Sequence, residues 1–495
     1  MSKRVCVIGL DCAAPELVFD RYREYLPTFQ RIMASGPHGP LESIIPPITV
    51  PAWMCMMTGK DPGTLGIYGF RNRKNHTYHA LEFAGSHMVH EPAIWDVAGE
   101  NGLESLVIGV PLTYPPKPIR GALVSDFLAP DTSSNYTYPS SLREEIAENI
   151  GDYILDVRDF RNRDREDLLS EIYAMTDRRF ALARHLMNAR PWNLSIMVEM
   201  GTDRMHHAFW RYMDSEHPLH EPGHPFANAI RDYYIYLDGK IASFIEALDE
   251  ETTLLIVSDH GAKRMIGGFC FNQWLIAEGY LVLKKNPEGE TKFSPDLVDW
   301  KRTRAWGDGG YYGRLFLNIA GREPQGIVTP EEVEELKTEL TMKLEALPDD
   351  HGRLMGTKVY RPERVYSSIK GVPPDLIVYF GDLYWRSVGS LGHPTFWTHT
   401  NDTGPDDANH AQKGIFLMSR ISDLKGVTTP ADTGWRDGLS IFDVAPTALS
   451  ALGLKAPEGM GRRSVNSPSA QSADSAYSQE EEAELARRLE ELGYI

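Results

Sequence analysis

The sequence predicts an α/β fold: a doubly wound, mostly parallel sheet with helices on both faces and an inserted cap subdomain. Three observations predict it. Short, continuously apolar runs recur along the chain, helical stretches lie between them, and charged residues gather just past the ends of the runs. Continuous rather than alternating apolar runs mark strands covered on both faces, as in a parallel sheet. Ligands of such sheets bind beyond the carboxyl ends of the strands.

The first strand is RVCVIGLD, residues 4–11, ending in Asp11. The stretch IPPITVPAWMCMMTG, residues 45–59, then sets a hydroxyl, Thr49, in an apolar run. Pro51 suits the first turn of a helix, which makes Thr49 or Val50 its cap. SLVIGVP (105–111) is the next strand, followed by helices over 140–150 and 164–189. LSIMVEMGTD gives a strand from residue 195 that runs toward Asp203, and a helix over 226–249 follows. TLLIVSDH (253–260) ends in Asp259 and His260.

Residues 284–400 are richer in Lys, Pro and Glu, with short strands RLFLNI and DLIVYF and a helix over 329–346. They read as the inserted cap, after which KGIFLMS (413–419) resumes the core sheet and a helix covers 441–452. Residues 464–478 are Ser/Ala-rich and read as a linker. EEEAELARRLEELGYI then forms an amphipathic helix with Leu485, Leu489 and Leu492 on one side. That helix is expected to dock on the body or on a second copy of the chain. The expected division is 1–283 plus 401–463 for the core, 284–400 for the cap, and 464–495 for linker and helix.

A formal charge of -18 with no basic block excludes binding of a nucleic-acid duplex. Anions can still bind where metal ions, helix N-termini or single arginines overcome the global field. Cys6, Cys12, Cys55 and Cys270 form no C-x-x-C pair and read as buried free thiols of a reducing compartment. The first apolar run is broken by Asp11, too early for a signal peptide. No stretch approaches the roughly 18 apolar residues needed to span a membrane. A cytoplasmic protein without membrane contact is expected.

The charged strand ends make one constellation. Asp259 and His260 are adjacent, and Asp203 and His207 stand four apart in GTDRMHH, on one face of a helix. His410 follows the Asp-rich loop NDTGPDDANH, and Asp11 ends the first strand. Three Asp, three His and Thr49 can build two adjacent sites, and mixed N/O donors suit zinc, manganese or iron. The i+4 spacing favours His207 over His206. A hydroxyl at a helix N-terminus also shares its place with bound anions. Two divalent ions against three aspartates and a Thr49 alkoxide sum to zero, so the site can accept a phosphate oxygen.

These segments resemble the alkaline phosphatase superfamily, close to its type I phosphodiesterase/nucleotide pyrophosphatase branch. VIGLDCAAPEL resembles its first metal strand, and PPITVPAWMCMMTGKDPGTLGIYGF its nucleophile segment. EMGTDRMHH and VSDHGA resemble its two metal motifs. FNQWLIAEGYL, NIAGREPQGIV and DVAPTALSALGLKAP with GMGRRS resemble segments of its prokaryotic members.

The resemblance implies a metal-dependent phosphodiesterase or nucleotide pyrophosphatase with Thr49 as nucleophile and a phosphothreonine intermediate. Asp11, Thr49, Asp259 and His260 would bind one ion, and Asp203, His207 and His410 the other, with zinc first and manganese second. His393 and His399 are the runners-up for the third histidine. The substrate would be a small phosphate ester.

Two departures stand out. Nucleotide pyrophosphatases place an asparagine after the nucleophile helix. Here GIYGFRNR offers Asn72 or Arg71 at other offsets. Sulfatases need a cysteine or serine nucleophile with an arginine nearby; here the segment is Thr49-Val50-Pro51-Ala52-Trp53, so sulfatase chemistry is not expected.

Substrate choice is expected to lie in residues 60–90 and in the cap, at Arg71, Trp306, Tyr311, Tyr312, Arg314 and Trp397. Arg322 reads as a structural partner of Glu323 or another nearby carboxylate. The alternatives are a phosphomonoesterase or mutase-like phosphoryl-transfer enzyme on the same ions, with Lys263 and Arg264 facing the dianion, and a non-catalytic binding relative.

Overall fold

The computed structural model describes residues 3–401, 403–425, 434–461 and 479–494. The linker expected at 464–478 lies outside them.

A nine-stranded sheet forms the core. Its strands are β1 (Arg4–Leu10), β2 (His38–Glu42), β3 (Ser105–Ile108), β4 (Gly121–Val124), β5 (Thr137–Tyr138), β6 (Leu194–Glu199), β7 (Thr252–Val257), β8 (Lys413–Arg420) and β9 (Leu439–Ser440). They lie in the order β9-β2-β8-β7-β1-β6-β3-β4-β5. The five strands β7, β1, β6, β3 and β4 run parallel, as the continuous apolar runs predict. β8 runs antiparallel to both neighbours. Its central residues 414–417 are buried like those of the parallel strands, and an apolar run carries burial but not direction.

β2, β4, β5 and β9 had no strand signal. HGPLE holds Gly and Pro, which disfavour strands, and the others are four residues or fewer.

The helices that matter for the site are α1 (Thr49–Thr58), α2 (Arg165–Ala189), α3 (Gly201–Met213), α4 (Ala229–Ile245), α5 (Val444–Leu452) and α6 (Gln479–Glu491). α1 begins at Thr49 with Ile48 as its cap, one or two residues before the expected cap at Thr49 or Val50. Thr49 is therefore the first helical residue, a shift within the ordinary uncertainty of a helix end.

α1 is buried along its whole length. It lies close against the central strand: a Cβ at Gly9 would stand 2.3 Å from the Trp53 ring, so only glycine admits this contact. A second apolar cluster includes Phe271, Trp306, Leu315, Leu340 and Val378. It surrounds a four-stranded antiparallel sheet of Ala305–Asp308, Gly313–Leu317, Leu376–Tyr379 and Lys358–Tyr360.

Candidate metal centre and nucleophile

Register explains why distant residues meet. Leu10 pairs with Glu199, and Gly9 with Val257, so β1, β6 and β7 end side by side. Asp11 follows β1, Asp259 and His260 follow β7, and Asp203 sits on α3, which begins two residues after β6. His410 lies on the short strand Ala408–Ala411, opposite Ala262, just before β8 begins. β8 is antiparallel to both β7 and β2, so the carboxyl end of β2 reaches the same edge. The chain from that end leads into Thr49.

Asp11, Thr49, Asp203, Asp259, His260 and His410 are all fully buried, and His207 nearly so. Thr49 Oγ1 stands 3.0 Å from His260 Nε2. His260 Nε2 is 3.2 Å from Asp259 Oδ2 and 3.8 Å from Asp11 Oδ1. On the other side, Asp203 Oδ2 is 3.2 Å from His207 Nε2 and 3.9 Å from His410 Nε2. The two imidazoles that link the halves, His260 and His410, stack at 3.8 Å.

Each imidazole is tethered through Nδ1. His260 Nδ1 meets the Gly261 carbonyl at 3.1 Å, and His410 Nδ1 meets the Pro47 carbonyl at 2.8 Å. His207 Nδ1 meets Asp406 Oδ1 at 2.7 Å. A carbonyl or carboxylate only accepts, so each Nδ1 carries a proton, and each ring, once neutral, would turn its Nε2 lone pair into the site. Second oxygens are held likewise: Trp53 Nε1 donates to Asp11 Oδ2 at 2.6 Å, and the Cys12 amide to Asp259 Oδ1 at 3.2 Å. Cys12 itself takes a left-handed φ of 62°.

What remains over is the set of atoms a metal needs. Asp11 Oδ1, Asp203 Oδ2, Asp259 Oδ2, His207 Nε2 and His410 Nε2 are buried and make no hydrogen bond. An unsatisfied buried polar group costs about 1–3 kcal/mol. Together they would consume much of a domain's roughly 5–15 kcal/mol of stability unless a cation were to satisfy them. The donor set therefore forms candidate metal-binding groups, with Asp11, Asp259 and His260 together beside Thr49, and Asp203 and His207 together beside His410. Cys12 Sγ lies with donor atoms of Asp203 and His207, all within 4.8 Å of one another.

The protonation of the cluster shows the same strain. Burial, then the neighbouring Asp203, pushes Asp11 well above the usual carboxylate range. Burial and Asp11 do the same to Asp259. Burial also works against the Asp203 charge, but His207 and Arg204 outweigh it and hold Asp203 well below that range. Burial pulls His207 down, yet Asp406 and Asp203 outweigh it and raise it to about 10. Burial lowers His260 to about 4. Bound cations would lower Asp11, Asp259 and His207, so loading must release protons and weaken as pH falls.

The other expected site residues are placed as follows. Arg71 opens the strand Arg71–Arg73, and its Nε is buried without a hydrogen bond. The Asn72 amide is used within its own loop, accepting from Tyr68 N at 2.7 Å and donating to Gly69 O at 3.1 Å. Lys263 donates to the Asp382 carbonyl at 2.8 Å, and Arg264 pairs with Asp214 and Glu216. His393 pairs with Glu290 and His399 with Asp350, so neither joins the cluster. His206 turns to the Tyr234 hydroxyl at 3.2 Å.

Of the aromatics expected to choose substrate, Tyr311 reaches the cluster, its ring stacked on His410 at 4.3 Å. Tyr312 bonds Tyr68 O, Trp306 packs on Phe316, Arg314 pairs with Asp308, and Trp397 bonds Pro348 O. Arg322 pairs with Asp375 and Glu323.

Sequence reading missed Asp406, Arg161, Arg204 and Trp53 as supports of the cluster. Arg204 is next to Asp203 and was findable by adjacency. Arg161 bonds Asp406 at 2.6 Å across 245 residues, and nothing local marks it.

Asp406 holds the His207 tautomer, so Asp406→Asn is expected to weaken metal affinity about 10- to 100-fold. Chelator competition checks this, and equal affinity in variant and wild type would remove Asp406 from the site.

The sequence matches the family model of type I phosphodiesterase/nucleotide pyrophosphatase over residues 5–406. No curated protein matches by sequence. Among solved structures, phosphonoacetate hydrolase from Sinorhizobium meliloti in complex with phosphonoacetate aligns with a TM-score of 0.58 at 14% identity, covering 91% of this chain and 96% of that one. Murine ectonucleotide pyrophosphatase/phosphodiesterase 5 aligns with a TM-score of 0.51 at 16% identity, covering 93% and 97%. An inactive form of that murine protein in complex with AMP aligns with a TM-score of 0.52 at 15% identity, again covering 93% and 97%. At these identities the likeness shows the fold.

Proposed function

Since the chain belongs to the type I phosphodiesterase/nucleotide pyrophosphatase family of phosphoric ester hydrolases, we propose that it cleaves small phosphate diesters or pyrophosphates through a phosphothreonine at Thr49. The observation that carries this reading is the cluster itself. Three imidazoles tethered at Nδ1 and three carboxylates converge beside one hydroxyl at the N-terminus of α1.

Asp11, Thr49, Asp259 and His260 would hold one divalent ion, and Asp203, His207 and His410 the other, zinc first and manganese second. Bound there, the ions supply the positive charge that makes the Thr49 hydroxyl acidic and neutralises the phosphoryl oxygens.

The chain's own groups do the rest. Ile48 gives α1 no side-chain cap, so the helix N-terminus presents amide donors and the positive dipole end to the phosphoryl group. Thr49 Oγ attacks phosphorus, its bond to hydrogen breaks, and the leaving alcohol or phosphate departs with a proton. Water then attacks the phosphothreonine, restoring the Thr49 hydroxyl and freeing the phosphorylated product. The fixed rings of His260 and His410 keep these groups in register, and burial excludes bulk water.

A monoester dianion calls for an extra cation. Lys263 and Arg264 are already engaged with Asp382, Asp214 and Glu216, which favours the diester reading. Arg71, with a buried Nε that makes no hydrogen bond, is the candidate contact for substrate among Arg71, Asn72, Lys263 and Arg264. A non-catalytic relative would have no use for the complete donor set.

The test compares a chromogenic phosphate diester with its monoester on protein stripped of metal and refilled with zinc or manganese. Diester preference is expected. Monoester preference would move the assignment to a phosphatase, and metal-loaded protein inactive on both would overturn it.

A further inference from the structure

α6 carries Leu485 and Leu489 on its buried side, and Leu492 is buried just past its end. The chain then turns at Gly493, with φ 78°, and folds Tyr494 back into the protein. A Cβ at Gly493 would lie 1.6 Å from Arg161 Nη2, so this turn has room only for glycine. Arg161 Nη2 donates to the Leu492 carbonyl at 3.0 Å and to Asp406 Oδ2 at 2.6 Å. The Tyr311 hydroxyl lies 3.3 Å from that carbonyl and 3.0 Å from Asp406 Oδ2. The segment after α6 is thereby fixed to the same carboxylate that orients His207.

Tyr494 goes further in. Its hydroxyl donates to Asp203 Oδ1 at 3.3 Å and accepts from Arg204 Nη1 at 3.0 Å. Arg204 Nη1 also bonds Asp203 Oδ1 directly, and its other edge is held by Asp156 at 2.9 and 2.7 Å. The Tyr494 ring stacks on Phe70, just past the nucleophile helix, with centroids 3.9 Å apart. Asp203 thus has one oxygen pinned by two donors while Oδ2 faces His207 and His410 without a hydrogen bond.

We propose that Tyr494 is a positioning residue of the metal centre, its hydroxyl fixing the Asp203 carboxylate so that Oδ2 stays aimed at an ion. This rests on reading Asp203 as a metal donor. A docked apolar helix needs only the three leucines, and phenylalanine would stack on Phe70 equally well. What the hydroxyl adds is a neutral donor that holds Asp203 without cancelling its charge. Carboxylates that bind metals are commonly held this way by outer partners.

The test uses the full chain with Tyr494→Phe, which keeps the ring and removes the hydroxyl. Zinc affinity is read by chelator competition, alongside melting of the metal-free protein and steady-state kinetics on the diester. The variant should bind one of two ions about tenfold more weakly, melt like wild type without metal, and lose kcat with KM unchanged. Metal affinity equal to wild type would overturn the proposal and leave the diesterase reading standing. Weakened metal binding by the variant, with a wild type that loads metal but cleaves no diester, would support Tyr494 and overturn the diesterase reading instead.

Discussion

Thr49→Ala is expected to lower diester turnover by at least about 10⁴-fold, the scale on which hydrolases lose rate when the nucleophile is removed. Metal content should stay near normal. The reason lies in the distribution of donors. Thr49 contributes one hydroxyl, while Asp11, Asp259 and His260 keep three donor atoms within 4.8 Å of one another without it. The fold should tolerate the change, since Thr49 is the first residue of α1 and its side chain bonds only His260 among the described residues. Single-turnover assays on metal-loaded variant and wild type, with metal content measured on the same samples, check this. A variant that keeps full activity would replace the phosphothreonine with direct attack by water.

Asp259→Asn is expected to separate stability from function. Asp259 Oδ2 is buried without a hydrogen bond, and Asp11 and Asp203 both oppose its charge. An asparagine keeps an acceptor for the Cys12 amide and adds a donor within reach of His260 Nε2, now 3.2 Å from Oδ2. The metal-free variant should therefore melt no lower than wild type, the relief of one such atom being worth about 1–3 kcal/mol. Wild type should gain about 2.7 kcal/mol with zinc at 100 times its Kd, and the variant far less. Diesterase activity should be lost with the metal. Thermal melts of both proteins with and without zinc decide it. An unchanged zinc-induced gain in the variant would show that Asp259 is not a metal donor.

The fold was legible where burial is continuous. RVCVIGLD, SLVIGVP, LSIMVE and TLLIVS announce β1, β3, β6 and β7 because a strand covered on both faces needs no polar alternation. The helices over 164–189 and 441–452 were equally plain. β2 was not, since HGPLE owes its place to pairing with β8 rather than to its own propensity. The direction of β8 was also out of reach, because an apolar run is the same read from either end.

The candidate donors divide in the same manner. The sequence by itself set Asp11, Asp259 and His260 at strand ends and Asp203 and His207 on one helix face, because those relations depend only on local period. It also carried Thr49 at a helix start and His410 ahead of a strand. Only the tertiary structure decided that these groups meet, that every Nδ1 is tethered, and that Asp406, Arg161 and Tyr494 hold them from behind. Such contacts join residues hundreds of positions apart. They arise from sheet order and register, which no local pattern encodes.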